Sequence, residues 1–246
     1  FQMPENPAIS KKIIALVKKD LRKYASKEKA DILSRFFKTG KGEYGEGDIF
    51  IGVVVPDIRK VAKKYQDLSL GEVIKLLKSH IHEERLLALL IMILKFQKAQ
   101  TEAQKKAVYK AYLTNTKYIN NWDLVDLSSH EIVGSFLLKK SKKELYDLSK
   151  SESLWERRIS IVSTYRFIRN GRFKDTLKIA RILIKDSHNR IHKAVGWMLR
   201  EVGKRDLRAL ERFLKRHYKS MPRTMLRYSI EKFPEDKRLR YLNGEV

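Results

Sequence analysis

The 246-residue chain has no cysteine, which removes disulfide frameworks, thiolate metal centres and cysteine nucleophiles together. Long apolar runs are missing as well. The greasiest stretch, RLLALLIMILKF (85–96), is shorter than the ~18 residues a membrane span needs and is flanked by charge, so it reads as a buried helix. Nothing near the start has the form of a signal peptide: Pro4, Glu5 and Pro7 precede an amphipathic stretch. Phe1-Gln2 ahead of Met3 reads as a tag remnant. A cytoplasmic protein is expected. Negative charge is the scarcest commodity, with 29 Asp and Glu against 54 Lys and Arg, a formal net charge of +25. A lysine-rich thermostable surface would bring matching glutamate. Here a polyanion is the natural partner, and charge combined with helicity favours nucleic acid over a membrane surface.

Helical periodicity dominates what is present. In ISKKIIALVKKDLRKYA (9–25), Ile9, Ile13, Leu16, Val17, Leu21 and Tyr24 form one stripe. Further helices are predicted at about 29–38, 57–66, 70–79, 83–98, 101–114, 121–139, 142–150, 154–170, 173–185, 189–204, 206–217, 221–232 and 235–242. A slower rhythm lies over them. Arg85, Arg158, Arg190 and Arg223 each open an apolar helix, and their separations are about two, one and one repeat lengths of 30 to 40 residues. That period predicts an all-α HEAT-like α-solenoid of stacked antiparallel helix pairs, a single domain over 3–246.

One segment departs from the rhythm. KTGKGEYGEGDIFIGVVVP (38–56) carries five of the eleven glycines and then a β-branched run, so a Gly-rich loop or a β-hairpin is expected there. Gly40 to Gly45 satisfies G-x-G-x-x-G, but a helix precedes it and extended residues follow, the reverse of a nucleotide-binding turn. The segment is either a connector or a loop that meets DNA phosphates.

Histidine offers little catalytic pattern. His188 and His192 have the i,i+4 spacing of a metal pair, yet no third ligand is in register, and a helix start capped by Ser187 explains them; no metal site is expected. His80, His82, His130 and His217 are scattered singly, and no Gly-x-Ser-x-Gly elbow exists. What remains is aromatic, acid and arginine. In NNWDLVDLSSH (120–130), Trp122 and Asp126 are four apart and share a helix face. Trp122, Trp155 and Trp197 fall on different helices; each is either core or part of a site with Asp126 and Arg158.

NNWDLVDLS (120–128), LWERRISIVSTY (154–165) and HKAVGWMLREVGKRD (192–206), in that order and spacing, resemble the AlkD-type alkylpurine DNA glycosylases, HEAT-like repeat enzymes of base excision repair. The similarity runs from about Ile9 to Leu242. It implies that Asp126 is the catalytic aspartate, Trp122 and Trp197 the site tryptophans and Arg158 the site arginine. It also implies hydrolysis of the N-glycosidic bond of cationic N3- or N7-alkylated purines in duplex DNA, without a lyase step and without a cofactor. Arg157, Arg158, Arg190, Lys193, Arg223 and Arg227 are expected to contact DNA, Arg158 as a phosphate clamp, in a monomer that joins the nucleoid when bound. Trp122 is expected at a groove wall with Asp126 beside it as a bare carboxylate. The alternative is a non-catalytic HEAT-repeat protein that recognises branched or distorted DNA.

Overall fold

Apolar residues at three- and four-residue spacing, short connections and side-chain caps divide the chain into helices, and no strand forms among the described residues. The computed structural model describes residues 7–246, so the expected tag remnant Phe1-Gln2 lies outside it. The helices are α1 (Pro7–Arg22), α2 (Lys27–Phe36), α3 (Val55–Lys64), α4 (Leu70–Leu77), α5 (His82–Lys98), α6 (Glu102–Leu113), α7 (Trp122–Ser129), α8 (Ser135–Leu137), α9 (Lys143–Leu148), α10 (Leu154–Ser163), α11 (Tyr165–Arg169), α12 (Lys174–Leu183), α13 (Asn189–Gly203), α14 (Leu207–His217), α15 (Arg223–Ser229) and α16 (Glu235–Asn243). Capping boxes start α4 and α6, where Ser69 and Thr101 exchange hydrogen bonds with Glu72 and Gln104. The predicted 121–139 helix contains a π-helical turn, His130–Gly134, between α7 and α8. The predicted 154–170 helix is parted at Thr164 into α10 and α11.

The helices fall into two compact units, one ending at Leu124 and one spanning Val125–Val246. In the first unit α5 is central: α3, α4 and α6 pack on it, and every residue from His82 to Ile93 is buried. An all-round apolar helix has to lie inside, as expected for 85–96. Its first turn is polar yet equally buried. Glu84 pairs with Lys18 at 2.8 Å and Arg22 at 3.0 Å on α1 and accepts from the Ser79 hydroxyl at 2.6 Å. Glu83 accepts the backbone N–H groups of Ile51, Gly52 and Val53 at 2.8–3.2 Å.

Those last contacts decide between the two expectations for 38–56. It is a loop, and the hairpin does not form; only an isolated parallel bridge, Ile49 to Ile81, is extended pairing. The N–H groups a second strand would need are donated to Glu83. Gly52 also sits at φ +79°, where an added Cβ would lie 2.0 Å from the Ser26 carbonyl oxygen. Only glycine fits that position.

In the second unit α13 is the hub, with α10, α12, α14 and α15 packed on it. Its contacts repeat along the chain. A Cβ on Gly134 would meet the Ser163 carbonyl and the Arg166 side chain, 29 and 32 residues on; one on Gly196 would meet the Met225 carbonyl and the Tyr228 side chain, again 29 and 32 residues on. The same helix approach is therefore used twice, one structural repeat being about 32 residues.

Candidate active site

The repeat register brings Asp126 and Arg158 together. Asp126, on α7, faces Arg158, near the start of α10, which is set by Ser153 capping the Glu156 N–H. Arg158 donates from Nε to one carboxylate oxygen at 2.9 Å and from Nη2 to the other at 2.8 Å. Its Nη1 donates to the Arg190 carbonyl at 2.5 Å, 32 residues further on. A bidentate guanidinium–carboxylate pair fixes both orientation and charge. The pair is unequally covered: the Arg158 side chain is 7% exposed and that of Asp126 19%. Asp126 is thus not the bare carboxylate expected, and Arg158 is not a free phosphate clamp. Three of its donors already serve Asp126 and the backbone, because register places the two residues one repeat apart on packed helices.

Rings lie along the same register. His130, one turn after Asp126 and at the π-helical turn, meets Tyr165 edge-on at 5.3 Å. Tyr165 meets Trp197, 32 residues later, at 5.8 Å. Both Tyr165 and Trp197 are half-buried. Burial holds His130 below its ordinary pKa; Glu131 opposes this, Arg169 and Arg166 reinforce it, and Asp126 opposes it. Neutral aromatic faces and an anion therefore lie within one stretch of the second unit.

Trp122 belongs to the first unit and is half-buried. One face stacks on Phe37 at 5.2 Å and 20°, Phe36 meets it edge-on at 6.0 Å, and its indole N–H donates to the Tyr44 hydroxyl at 3.3 Å. Behind it lies a buried charged cluster of Asp48, His82, Arg85 and Asp123. Burial disfavours the His82 cation, but Asp123 and Asp48 outweigh it and raise its pKa. Burial likewise opposes ionisation of Asp48, and His82, Arg85 and Asn121 outweigh it and lower its pKa.

The expected DNA contacts separate. Arg157 is occupied, with Nε on the Asp186 carboxylate at 2.6 Å and Nη1 on the Ser151 and Glu152 carbonyls. Arg190 and Lys193 are half-buried on α13, whereas Arg223 and Arg227 are exposed on α15. Trp155 is half-buried on α10. Ser187 does not cap α13; the imidazole of His188 does, accepting from the Arg190 N–H. His192 faces the Asp186 carbonyl, so its Nε2 donates. Among the described residues no group of three His, Asp or Glu could hold a metal ion, and no helix is long and apolar enough to cross a membrane.

Sequence reasoning missed Tyr165, His130 and His82. Tyr165 was reachable, since it precedes Trp197 by the same 32 residues that separate Asp126 from Arg158. His82 had no local signal, because its partners are 34 and 41 residues away.

The family model for DNA alkylation repair enzymes matches residues 17–233. The chain belongs to the DNA alkylation repair enzyme family. No curated protein matches it in sequence. Among solved structures, a predicted DNA alkylation repair enzyme from Enterococcus faecalis is similar with a TM-score of 0.66 and 17% identity, covering 86% of this chain and 97% of that one. At that identity the likeness is one of fold, the all-α fold of a helical repeat protein. The DNA alkylation repair match spans both units, from α1 to the end of α15 and beyond.

Proposed function

We propose that the chain is a monofunctional DNA glycosylase of the AlkD type, releasing cationic N3- or N7-alkylated purines from duplex DNA in base excision repair. One observation carries the reading: Asp126 is held in a bidentate pair by Arg158, keeps an accessible edge, and lies one helical turn from a ladder of aromatic rings that reaches Trp197. An alkylated purine already bears positive charge and leaves neutral, so no strong general acid is required. The sugar left behind resembles an oxocarbenium ion, which a fixed carboxylate stabilises while it positions water. Indole and phenol faces favour cations by ~0.5–2 kcal/mol each, which is the role assigned to Trp197 and, at the start of the same helix as Asp126, to Trp122. Arg158 is assigned the orientation of Asp126; its two remaining N–H groups are what it can offer a phosphate. No lysine acts as nucleophile, so strand cleavage does not follow base loss. Arg223 and Arg227, with Arg190 and Lys193, are assigned to the DNA backbone, a partner that places a monomer on the nucleoid in the cytoplasm.

The test is base release from methylated duplex DNA. Wild type is expected to release 7-methylguanine but not uracil, and Asp126→Asn to lose about 10²–10³-fold in rate while DNA affinity holds. A wild-type protein that binds DNA and releases no alkylated base would make the chain a DNA-binding repeat protein instead.

A further inference from the structure

Both ring nitrogens of His82 face carboxylates: Nδ1 lies 3.0 Å from Asp48 and Nε2 2.7 Å from Asp123. A carboxylate only accepts, and a neutral imidazole carries one N–H, so this geometry requires the doubly protonated ring. Arg85 donates to the other Asp48 oxygen at 2.6 Å, giving two cations against two anions, with Asp48, His82 and Arg85 buried and Asp123 half-buried. Removing one proton would leave a net negative charge buried there, which is costly.

Two lines run from this cluster to Trp122. The first is polar. Asn121, fully buried, donates to Asp48 at 3.2 Å and accepts the Trp122 backbone N–H at 2.8 Å, so the first helical residue of α7 is tied to the cluster. Asp123, the next residue along, is the partner of His82. The second line is a stack of rings. His82 lies on Phe50 at 4.5 Å, Phe50 on Phe37 at 5.0 Å, and Phe37 on Trp122 at 5.2 Å, all within 24° of parallel. Asp48 and Phe50 come from the Gly-rich loop, whose backbone Glu83 holds beside them. The loop's Tyr44 accepts the Trp122 indole N–H. The loop, the start of α5 and the start of α7 thus meet around one imidazolium.

We propose that His82, clamped between Asp48 and Asp123, is a positioning residue that fixes Trp122 and the start of α7 for base release. The inference rests on the reading that Trp122 serves a glycosylase reaction. The charged groups that face His82 are Asp48 from the loop, Asp123 from α7 and Arg85 from its own helix; none of them reaches substrate in this role.

The experiment uses the full chain with 5-fluorotryptophan, the Trp122 resonance being assigned with Trp122→Phe. In wild type the Trp122 fluorine shift and the single-turnover rate of 7-methylguanine release are expected to change over the same pH range, above the ordinary histidine value, as His82 loses its second proton. In His82→Gln that titration should vanish and release should slow ~10- to 100-fold, the cost of a small misplacement, with duplex affinity unchanged. Asp123→Asn, which keeps an acceptor but removes a charge, should move both midpoints to lower pH. It also serves where His82→Gln does not fold. Folded variants whose Trp122 resonance and rate titrate as in wild type would overturn the inference. A wild type that releases no base overturns the glycosylase reading alone, because the fluorine titration still decides whether His82 holds Trp122.

Discussion

The two units hold their paired carboxylates in different ways. In the first, Asp48 and Asp123 are matched by His82 and Arg85, of which all but Asp123 are buried, and the four come from three segments with no common spacing. In the second, Asp126 is gripped by Arg158, a single repeat away, and keeps an accessible edge. A buried cluster of opposite charges adds little net stability but holds its members in one arrangement. An incompletely covered pair keeps its charge available for a ligand. The repeat register thus supplies the group proposed to react, and the irregular loop supplies a rigid support that a repeat could not.

Substitutions test that contrast, and the largest effect is expected where the loop meets α2. Gly52→Ala combines a positive φ with a clash against the Ser26 carbonyl and the Ala30 N–H, and should cost at least ~3 kcal/mol. Gly171→Ala in the second unit has a similar φ but open space and should cost only about 1 kcal/mol. Equal melting temperatures for the two would show that the loop is not packed as described. Next, Arg158→Ala removes the bidentate guanidinium from Asp126, with an expected loss of ~2–4 kcal/mol by urea unfolding and a fall in base release. Arg158→Lys should recover charge but not the fork, and so recover little of the rate. An unchanged rate in Arg158→Ala would remove the pair from the mechanism.

Proton linkage should divide the units by sign. His82 has a raised pKa in the fold, so its stabilisation is complete below its ordinary value of 6.5 and is lost as pH climbs through the raised one. His130, His188 and His217 are lowered, burial being the first cause in each. Their folded form favours the neutral ring, so that stabilisation is complete above 6.5 and declines as pH falls toward the lowered values. Above about pH 5, where the carboxylates of both units stay ionised, amide hydrogen exchange should therefore show the first unit loosening as pH rises and the second as pH falls. The same direction of change in both units over that range would sink the contrast. The smallest effects belong to the surface: Arg223→Gln or Arg227→Gln should leave stability within ~0.5 kcal/mol and reduce the salt slope of DNA binding by about one each.

The helices and their register were legible because both are periodic. Apolar spacing placed α13 within a residue of Asn189–Gly203, and the arginine rhythm set Arg158 and Arg190 one repeat apart, the separation across which Arg158 reaches the Arg190 carbonyl. Trp122 and Asp126 were legible as one helical face, but not their partners. Asp126 is held by a residue one repeat away, and Trp122 by Phe37 and Tyr44, about eighty residues upstream. Arg85 shows the limit of the rhythm: it opens a helix as Arg158 does, yet it binds the loop's Asp48 and not a neighbouring repeat. The π-helical turn has no pattern at all in the sequence, and neither does the histidine cap of α13.

Glu83 suggests how such a loop can arise. A stretch of extended backbone inserted into a helical array exposes amide groups that must find acceptors, and three of them here end on one carboxylate. A single acidic side chain at the start of α5 thereby stands in for an entire neighbouring strand. Without that carboxylate the three N–H groups would need another acceptor, so Glu83→Leu is expected to release the loop from the start of α5.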